Sequence, residues 1–141
     1  MPPMAERFVL DAWALLALLK GEEPAAGRVK ELLTGAERGA VDLFVSIINL
    51  GEVYYIVGRL KGEAEASRTL SALKRLPVGV VAAGEAEVLA AARLKMRYRI
   101  AYADAFAAGA ARSLGATLVT GDPELAALQG EVKIEYLRRG S

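Results

Sequence analysis

Short apolar runs alternate with longer amphipathic segments along this chain. The runs are typical of strands buried on both faces of a sheet, whereas the longer segments repeat apolar positions at helical spacing. Ser46 is placed to cap a helix, and Gly62 and Gly115 are placed to end helices. Strands are predicted over residues 7–11, 41–46, 78–82, 116–120 and 132–137, and helices over 12–20, 24–38, 47–61, 63–76, 84–97, 101–114 and 123–128.

The alternation of strands and helices predicts an α/β fold, a three-layer α/β/α sandwich with a central, mainly parallel sheet. At 141 residues, and without an evident linker or repeat, the chain is expected to form a single domain over residues 1–141. Ligands of such sheets bind at the carboxyl ends of strands, near the point where the strand order reverses. Functional side chains are therefore expected where strands end.

Composition limits the chemistry available. The chain has no cysteine and no histidine, which excludes thiolate and imidazole ligands and every catalytic arrangement built on them. A site made only of oxygen ligands favours Mg²⁺ or Mn²⁺ over Zn²⁺. The net charge of +1 gives no overall basic field that would indicate nucleic acid binding.

Two further expectations follow from composition. The apolar run 8–19 is interrupted by Asp11, and no run reaches the roughly 20 residues of a membrane span, so a cytoplasmic protein without a membrane partner is predicted. The chain has one asparagine, one glutamine and many Arg, Glu and Ala residues, which is typical of a heat-adapted (thermophile) source.

Three acidic residues each stand alone in a long uncharged stretch, and a fourth lies in the turn TGDPE. They are Asp11 within 8–19, Glu52 within 43–58, Asp104 within 100–111, and Asp122 in the turn. A buried carboxylate without a partner is costly, and these stretches contain no lysine or arginine. The simplest compensation for burying these charges is that the four carboxylates converge around a divalent cation. The sequence therefore predicts a metal-dependent enzyme.

Each acid also has an ordinary structural interpretation. Asp11 can cap the helix that follows it, Asp104 can interact favourably with the positive end of its helix dipole, and Asp122 suits a turn. Glu52 lies in the middle of a helix and caps nothing, and Asn49, one helical turn earlier, can orient its carboxylate. The four together favour a metal site more strongly than any one does alone.

Substrate contacts are predicted from hydroxyl groups and positive charges near the same edge. Ser46 and Thr120 end predicted strands. Arg99 belongs to a basic group that precedes the Asp104 helix, together with Arg93, Lys95 and Arg97. Such residues usually cap helices or face solvent. A basic rim around an acidic metal pocket is nevertheless what a phosphodiester substrate requires.

The ordered set of strand-end Asp, mid-helix Glu, helix-start Asp and TGD turn resembles the PIN-domain nucleases, and among them the VapC-type toxins of toxin–antitoxin pairs. The resemblance is carried by FVLDAWALLALL, SIINLGEVYYI and YRIAYADAFAAGAARSLGATLVTGD. It implies that the four acids bind metal and catalyse hydrolysis, and that Thr120 supplies the hydroxyl before the last acid. Trp13 departs from the pattern, which carries Ser or Thr two residues after the first Asp.

The resemblance further implies a function and partners. The chain would be an Mg²⁺- or Mn²⁺-dependent endoribonuclease that leaves 5′-phosphate and 3′-hydroxyl ends on structured RNA. It would form a homodimer and bind a cognate antitoxin whose tail blocks the acidic pocket. Helices 12–20 and 47–60 would provide an apolar docking groove for that partner.

Other interpretations remain open at this point. A receiver-like signalling module also holds Mg²⁺ in an acidic pocket, but it needs an acceptor Asp at a middle strand end and a Lys at a late one. DxD phosphatases need an Asp at position 13, where this chain has Trp. The third alternative is a catalytically impaired PIN-fold binding protein, which Trp13 allows.

Overall fold

The computed structural model of the protein describes residues 5–140; residues 1–4 and 141, which the predicted domain includes, lie outside the described part. Strands and helices alternate as predicted. The strands are β1 (Glu6–Leu10), β2 (Val41–Ser46), β3 (Gly79–Val81), β4 (Thr117–Thr120) and β5 (Ile134–Tyr136). The helices are α1 (Ala12–Lys20), α2 (Ala25–Glu37), α3 (Ile47–Lys61), α4 (Glu63–Lys74), α5 (Glu85–Arg97), α6 (Tyr102–Leu114) and a 3₁₀ helix (Pro123–Leu128).

The five strands form one sheet in the order β3-β2-β1-β4-β5, and every neighbouring pair is parallel. The predicted α/β/α architecture is confirmed. Strands β2 and β3 lie on one side of β1, whereas β4 and β5 lie on its other side. The strand order therefore reverses between β1 and β4, and a crevice at their carboxyl ends is the expected ligand position.

Both faces of the sheet are covered because the central strands carry apolar side chains on both sides. Phe8 and Leu10 pack on one face with α1, α2, α3 and α4. Val9, between them, packs on the other face with α5, α6 and the 3₁₀ helix. Strand β4 divides in the same way, with Val119 on the first face and Leu118 on the second. Two cores separated by the sheet result from side chains that alternate along each strand.

The ends of α3 and α6 follow the residues that predicted them. The Ser46 hydroxyl accepts a hydrogen bond from the Ile48 N–H (3.2 Å), and the helix stops at Gly62. Helix α6 ends at Gly115, whose φ of +61° is the left-handed conformation that glycine adopts without strain. These two helices carry Glu52 and Asp104, so their boundaries determine the height of both carboxylates above the sheet.

The differences from prediction lie at the margins. Strands β3 and β5 are three residues long, shorter than predicted, and both are edge strands paired on one side only. Pro24 precedes α2 rather than opening it. Helix α4 ends at Lys74, three residues before Pro77.

Within residues 5–140, no helix is long and apolar enough to cross a membrane.

Candidate metal centre

Two of the four predicted acids follow the strands on either side of the switch point. Asp11 comes directly after β1 and is 1% exposed, and its Oδ1 accepts a hydrogen bond from the Ala14 N–H (2.9 Å) as the N-cap of α1. Asp122 follows β4 and caps the 3₁₀ helix by accepting from the Glu124 N–H (2.9 Å). Both acids therefore perform the capping role that their sequence positions allow, and both lie at the ligand edge of the sheet.

The other two acids reach this edge from helices. Asn49, fully buried, donates its side-chain amide to Glu52 Oε1 (3.3 Å) and to the backbone carbonyl of Ala103 (3.2 Å). Ala103 precedes Asp104 in the first turn of α6. One buried amide thus connects the segment that bears Glu52 to the segment that bears Asp104.

The structure adds a fifth acid to this group. Carboxylate oxygens of Asp104, Asp122 and Glu124 lie within 4.8 Å of one another, a spacing at which they could hold a metal ion. Glu124 was not among the predicted site residues. The signal was present in the turn TGDPE, but an acid in the first turn of a short helix is ordinarily explained by the helix dipole.

The pKa values of two of these acids show how crowded the carboxylates are. Burial raises the pKa of Asp11 from 3.8 to about 7; a hydrogen bond from Thr120 lowers it, and the charges of Asp104 and Glu52 raise it further. Burial likewise raises the pKa of Asp104 to about 6, helped by Asp122, Glu52 and Glu124. The five acids therefore form one electrostatic cluster, called here the acid cluster.

In the part of the chain that the structure describes, no basic side chain pairs with the acid cluster. Among residues 5–140, none of its five members lies within 4.0 Å of a lysine or arginine nitrogen. The arginines that do form ion pairs engage other carboxylates. Like charges held together without a counter-charge are the arrangement that a divalent cation relieves, and an all-carboxylate set fits a hard ion such as Mg²⁺ or Mn²⁺.

Thr120, predicted to contact substrate, is completely buried and interacts with two acids. Its hydroxyl oxygen accepts a hydrogen bond from the Asp122 N–H (3.0 Å), and hydrogen bonding from the same side chain lowers the pKa of Asp11. Thr120 therefore couples the two acids on either side of the switch point.

The other two predicted substrate residues lie in different environments. Ser46 is 2% exposed and its hydroxyl caps α3, an interaction that explains the residue without a substrate. Arg99 is exposed in the connection between α5 and α6, shortly before Asp104. Their contact with substrate stays a prediction.

The Trp13 side chain packs against the turn that leads to Asp122. Its indole ring packs so closely on Gly121 that a Cβ atom at that position would overlap the ring carbons. The Arg139 guanidinium lies over the same ring, 5.4 Å from its centroid. Trp13 thus supports the turn between Thr120 and Asp122, whereas the hydroxyl residue expected at this position would have offered a polar contact.

The fold and the acid cluster define a class: an α/β protein with a candidate divalent-cation site at the switch point of a parallel sheet. A family model described as the PIN domain matches residues 8–131. The chain belongs to the PIN-domain family. Among curated proteins, no significant sequence match is found.

Solved structures with the same fold include VapBC toxin–antitoxin proteins and a VapC toxin. The chain is similar to one from VapBC2 of Rickettsia felis, bound to promoter DNA (TM-score 0.73, 17% identity, covering 94% of this chain and 99% of that one). A chain of VapBC-1 from nontypeable Haemophilus influenzae matches with a TM-score of 0.69 and 22% identity, covering 92% of this chain and 97% of that one. VapC20 of Mycobacterium tuberculosis, a sarcin–ricin loop cleaving toxin, matches with a TM-score of 0.70 and 18% identity, covering 89% of this chain and 97% of that one.

The raised pKa values predict how stability depends on pH when metal is removed. Between about pH 4 and pH 7 the folded state binds more protons at Asp11 than the unfolded state does, so stability falls as pH rises through this window. Asp11→Asn retains a capping oxygen but removes the titration. We expect the variant to gain stability relative to wild type as pH rises, measured by urea unfolding in EDTA. The exposed Asp42→Asn serves as control, and a parallel pH response in wild type and Asp11→Asn would contradict the prediction.

The contact between Trp13 and Gly121 predicts a coupled pair. Gly121→Ala should lower the free energy of unfolding by about 1–3 kcal/mol, because the new methyl group overlaps the indole. The same change should cost much less in a Trp13→Ala background, where the obstacle is absent. A double-mutant cycle by urea unfolding measures the coupling. Equal costs in the two backgrounds would show that the ring does not confine the turn.

Proposed function

We propose that this chain is a metal-dependent endoribonuclease and the toxin of a toxin–antitoxin pair. The observation that carries the proposal is the acid cluster: five carboxylates at the switch point of a PIN fold, with no basic partner in the described chain. The VapC20 neighbour, a sarcin–ricin loop cleaving toxin of the same fold, supports RNA as the substrate.

In the proposed site, Asp11, Glu52, Asp104 and Asp122 hold the cation, with Glu124 as an additional ligand. An Mg²⁺ or Mn²⁺ ion held by these carboxylates would supply water activation and charge stabilisation for phosphodiester hydrolysis. Asn49 orients the Glu52 carboxylate by donating to it, and the Thr120 side chain hydrogen-bonds to the Asp11 carboxylate. Because Asp11 and Asp104 have raised pKa values, cation binding releases their protons and strengthens as pH rises.

Because the chain belongs to the PIN family, the receiver-like alternative, a different class of α/β domain, is no longer favoured. A catalytically impaired PIN protein remains the relevant competitor, since Trp13 occupies the position of a hydroxyl residue. The two differ in one outcome, because the impaired protein would fold and bind a cation without cutting RNA. A cytoplasmic location and a homodimer, both expected from the sequence, belong to the proposal as predictions.

An apolar groove supports a protein partner for this chain. It lies between α1, α3 and α4, has a volume of about 190 Å³, and includes Leu16, Leu19, Ile56 and Leu60. Leu60 is 70% exposed and Leu19 is 43% exposed, so the groove presents two solvent-accessible leucines in one patch. The proposed occupant is an amphipathic helix of the antitoxin, consistent with the VapBC complexes that share the fold.

Purified protein is expected to cleave structured RNA with Mg²⁺ or Mn²⁺ and to stop in EDTA. Asp11→Asn and Asp104→Asn should each abolish cleavage, because each removes a charged ligand while preserving shape. Wild type should also gain thermal stability with metal, by about 2.7 kcal/mol at a hundredfold excess over the dissociation constant. Gel analysis of the RNA and melting curves provide the measurements.

Asp42→Asn, an exposed carboxylate on β2 outside the acid cluster, is the matched control and should cleave as wild type does. Wild-type cleavage rates in Asp11→Asn and Asp104→Asn would overturn the site. Folded wild-type protein that binds Mn²⁺ but cuts no RNA would favour the impaired PIN protein.

The partner is tested by co-expression with the neighbouring reading frame. We expect expression of the chain alone to arrest growth and the neighbour's product to reverse the arrest. Leu60→Glu should weaken co-purification at least tenfold while RNA cleavage continues, because a charge would enter an apolar contact. Ser71→Glu on exposed α4 provides the control. Undiminished complex formation by Leu60→Glu would exclude this groove as the docking site.

A further inference from the structure

A second charged region lies between α5 and α6, apart from the acid cluster. A cavity of about 390 Å³ is surrounded there by Arg93, Arg97, Arg112 and Ser113, with Ala90 and Gly109 among the small residues that line it. A water molecule occupies about 30 Å³ of liquid, so the cavity has room for a phosphate group and several waters. These residues are called here the arginine cavity.

Two of its three guanidinium groups are held in place. Glu131 accepts from Arg97 Nη1 (3.1 Å) and pairs with Arg112 Nη1 (2.8 Å), and it also accepts from the Tyr98 hydroxyl (3.0 Å). The Glu131 side chain is 12% exposed, whereas both arginine side chains are 52% exposed. Each guanidinium has five N–H donors, so most of them stay available to a ligand.

The third guanidinium leaves the arginine cavity with excess positive charge. Arg93 forms no ion pair within the described residues, and Glu131 is the carboxylate that contacts the other two arginines. Glu87, also on α5, is bonded to the Gly84 N–H (2.8 Å) at the opposite end of that helix. One carboxylate does not neutralise three guanidinium groups, so the arginine cavity attracts an anion with several acceptor oxygens.

We propose that the arginine cavity binds backbone phosphates of the RNA strand that is cut at the acid cluster. This inference rests on the ribonuclease activity proposed above. Helix α6 carries both regions, with Asp104 in its first turn and Arg112 in its last, about 12 Å apart along the axis. Arginine forks match phosphate oxygens and fix the register of a strand without reading its bases.

The arrangement revises the basic group recognised in the sequence. Arg93 and Arg97 were part of that group, and the structure adds Arg112 from the next helix. Lys95, another member, donates instead to the backbone carbonyl of Ile100 (2.7 Å). The phosphate contact is therefore assigned to three arginines on two helices rather than to a continuous run.

The test measures binding without cleavage. In EDTA, with Asp104→Asn as the parent protein, the anisotropy of a labelled single-stranded RNA gives affinity at several salt concentrations. Adding Arg93→Gln should weaken binding and reduce the slope of log K against log salt by about 0.7, the value for one lost phosphate contact on a single strand. Arg93 forms no ion pair in the described chain, so the variant should keep the parent's melting temperature.

Arg38→Gln is the matched control, since it removes the same charge from the exposed end of α2. Equal RNA affinity and salt slope for Arg93→Gln and Arg38→Gln would overturn the proposal. It would also be wrong if pyrophosphate stabilised wild type but not Arg93→Gln while RNA binding did not depend on Arg93, because the cavity would then hold a free oxyanion.

The two proposals fail in distinguishable ways. RNA binding that depends on Arg93, with no cleavage by wild type in Mg²⁺ or Mn²⁺, would support the phosphate site and contradict the ribonuclease. Cleavage that needs Asp104, with RNA binding indifferent to Arg93, would support the ribonuclease and remove the arginine cavity from its substrate path.

Discussion

Repulsion among carboxylates at the switch point is the constraint on which the rest of this structure depends. Asp11 is almost completely buried, and Asp104 shares its surroundings with three other acids. Three of the five acids are held by local hydrogen bonds: Asp11 and Asp122 cap helices, and Glu52 accepts from the Asn49 amide. The burial and mutual repulsion that raise the pKa values of Asp11 and Asp104 therefore lower the stability of the folded state at neutral pH.

Much of this could be predicted from the sequence because the signals were local. Buried strands flanked by helices gave the α/β architecture, and Ser46 and Gly115 marked helix ends by mechanisms that act within a few residues. Edge strands were predicted too long, since pairing on one side ends where the neighbouring strand ends. Acids isolated in apolar stretches were visible because an uncharged background makes a single charge conspicuous.

What escaped prediction depended on contacts between distant segments. Glu124 looked like an ordinary helix-start acid until the fold brought Asp104 beside it. Arg112 belongs with Arg93 only because α5 and α6 pack against each other and Glu131 joins them from a third segment. Contacts of this kind join charges that lie far apart along the chain, so local sequence patterns do not indicate them.

Trp13 is the one tryptophan in the chain, and it touches the turn that leads to Asp122. Its fluorescence therefore originates next to the proposed cation and from nowhere else. Ion entry, proton release and any movement of the turn can be followed by intrinsic emission in unmodified protein. The residue that departs most from the expected pattern provides the molecule with a built-in optical probe.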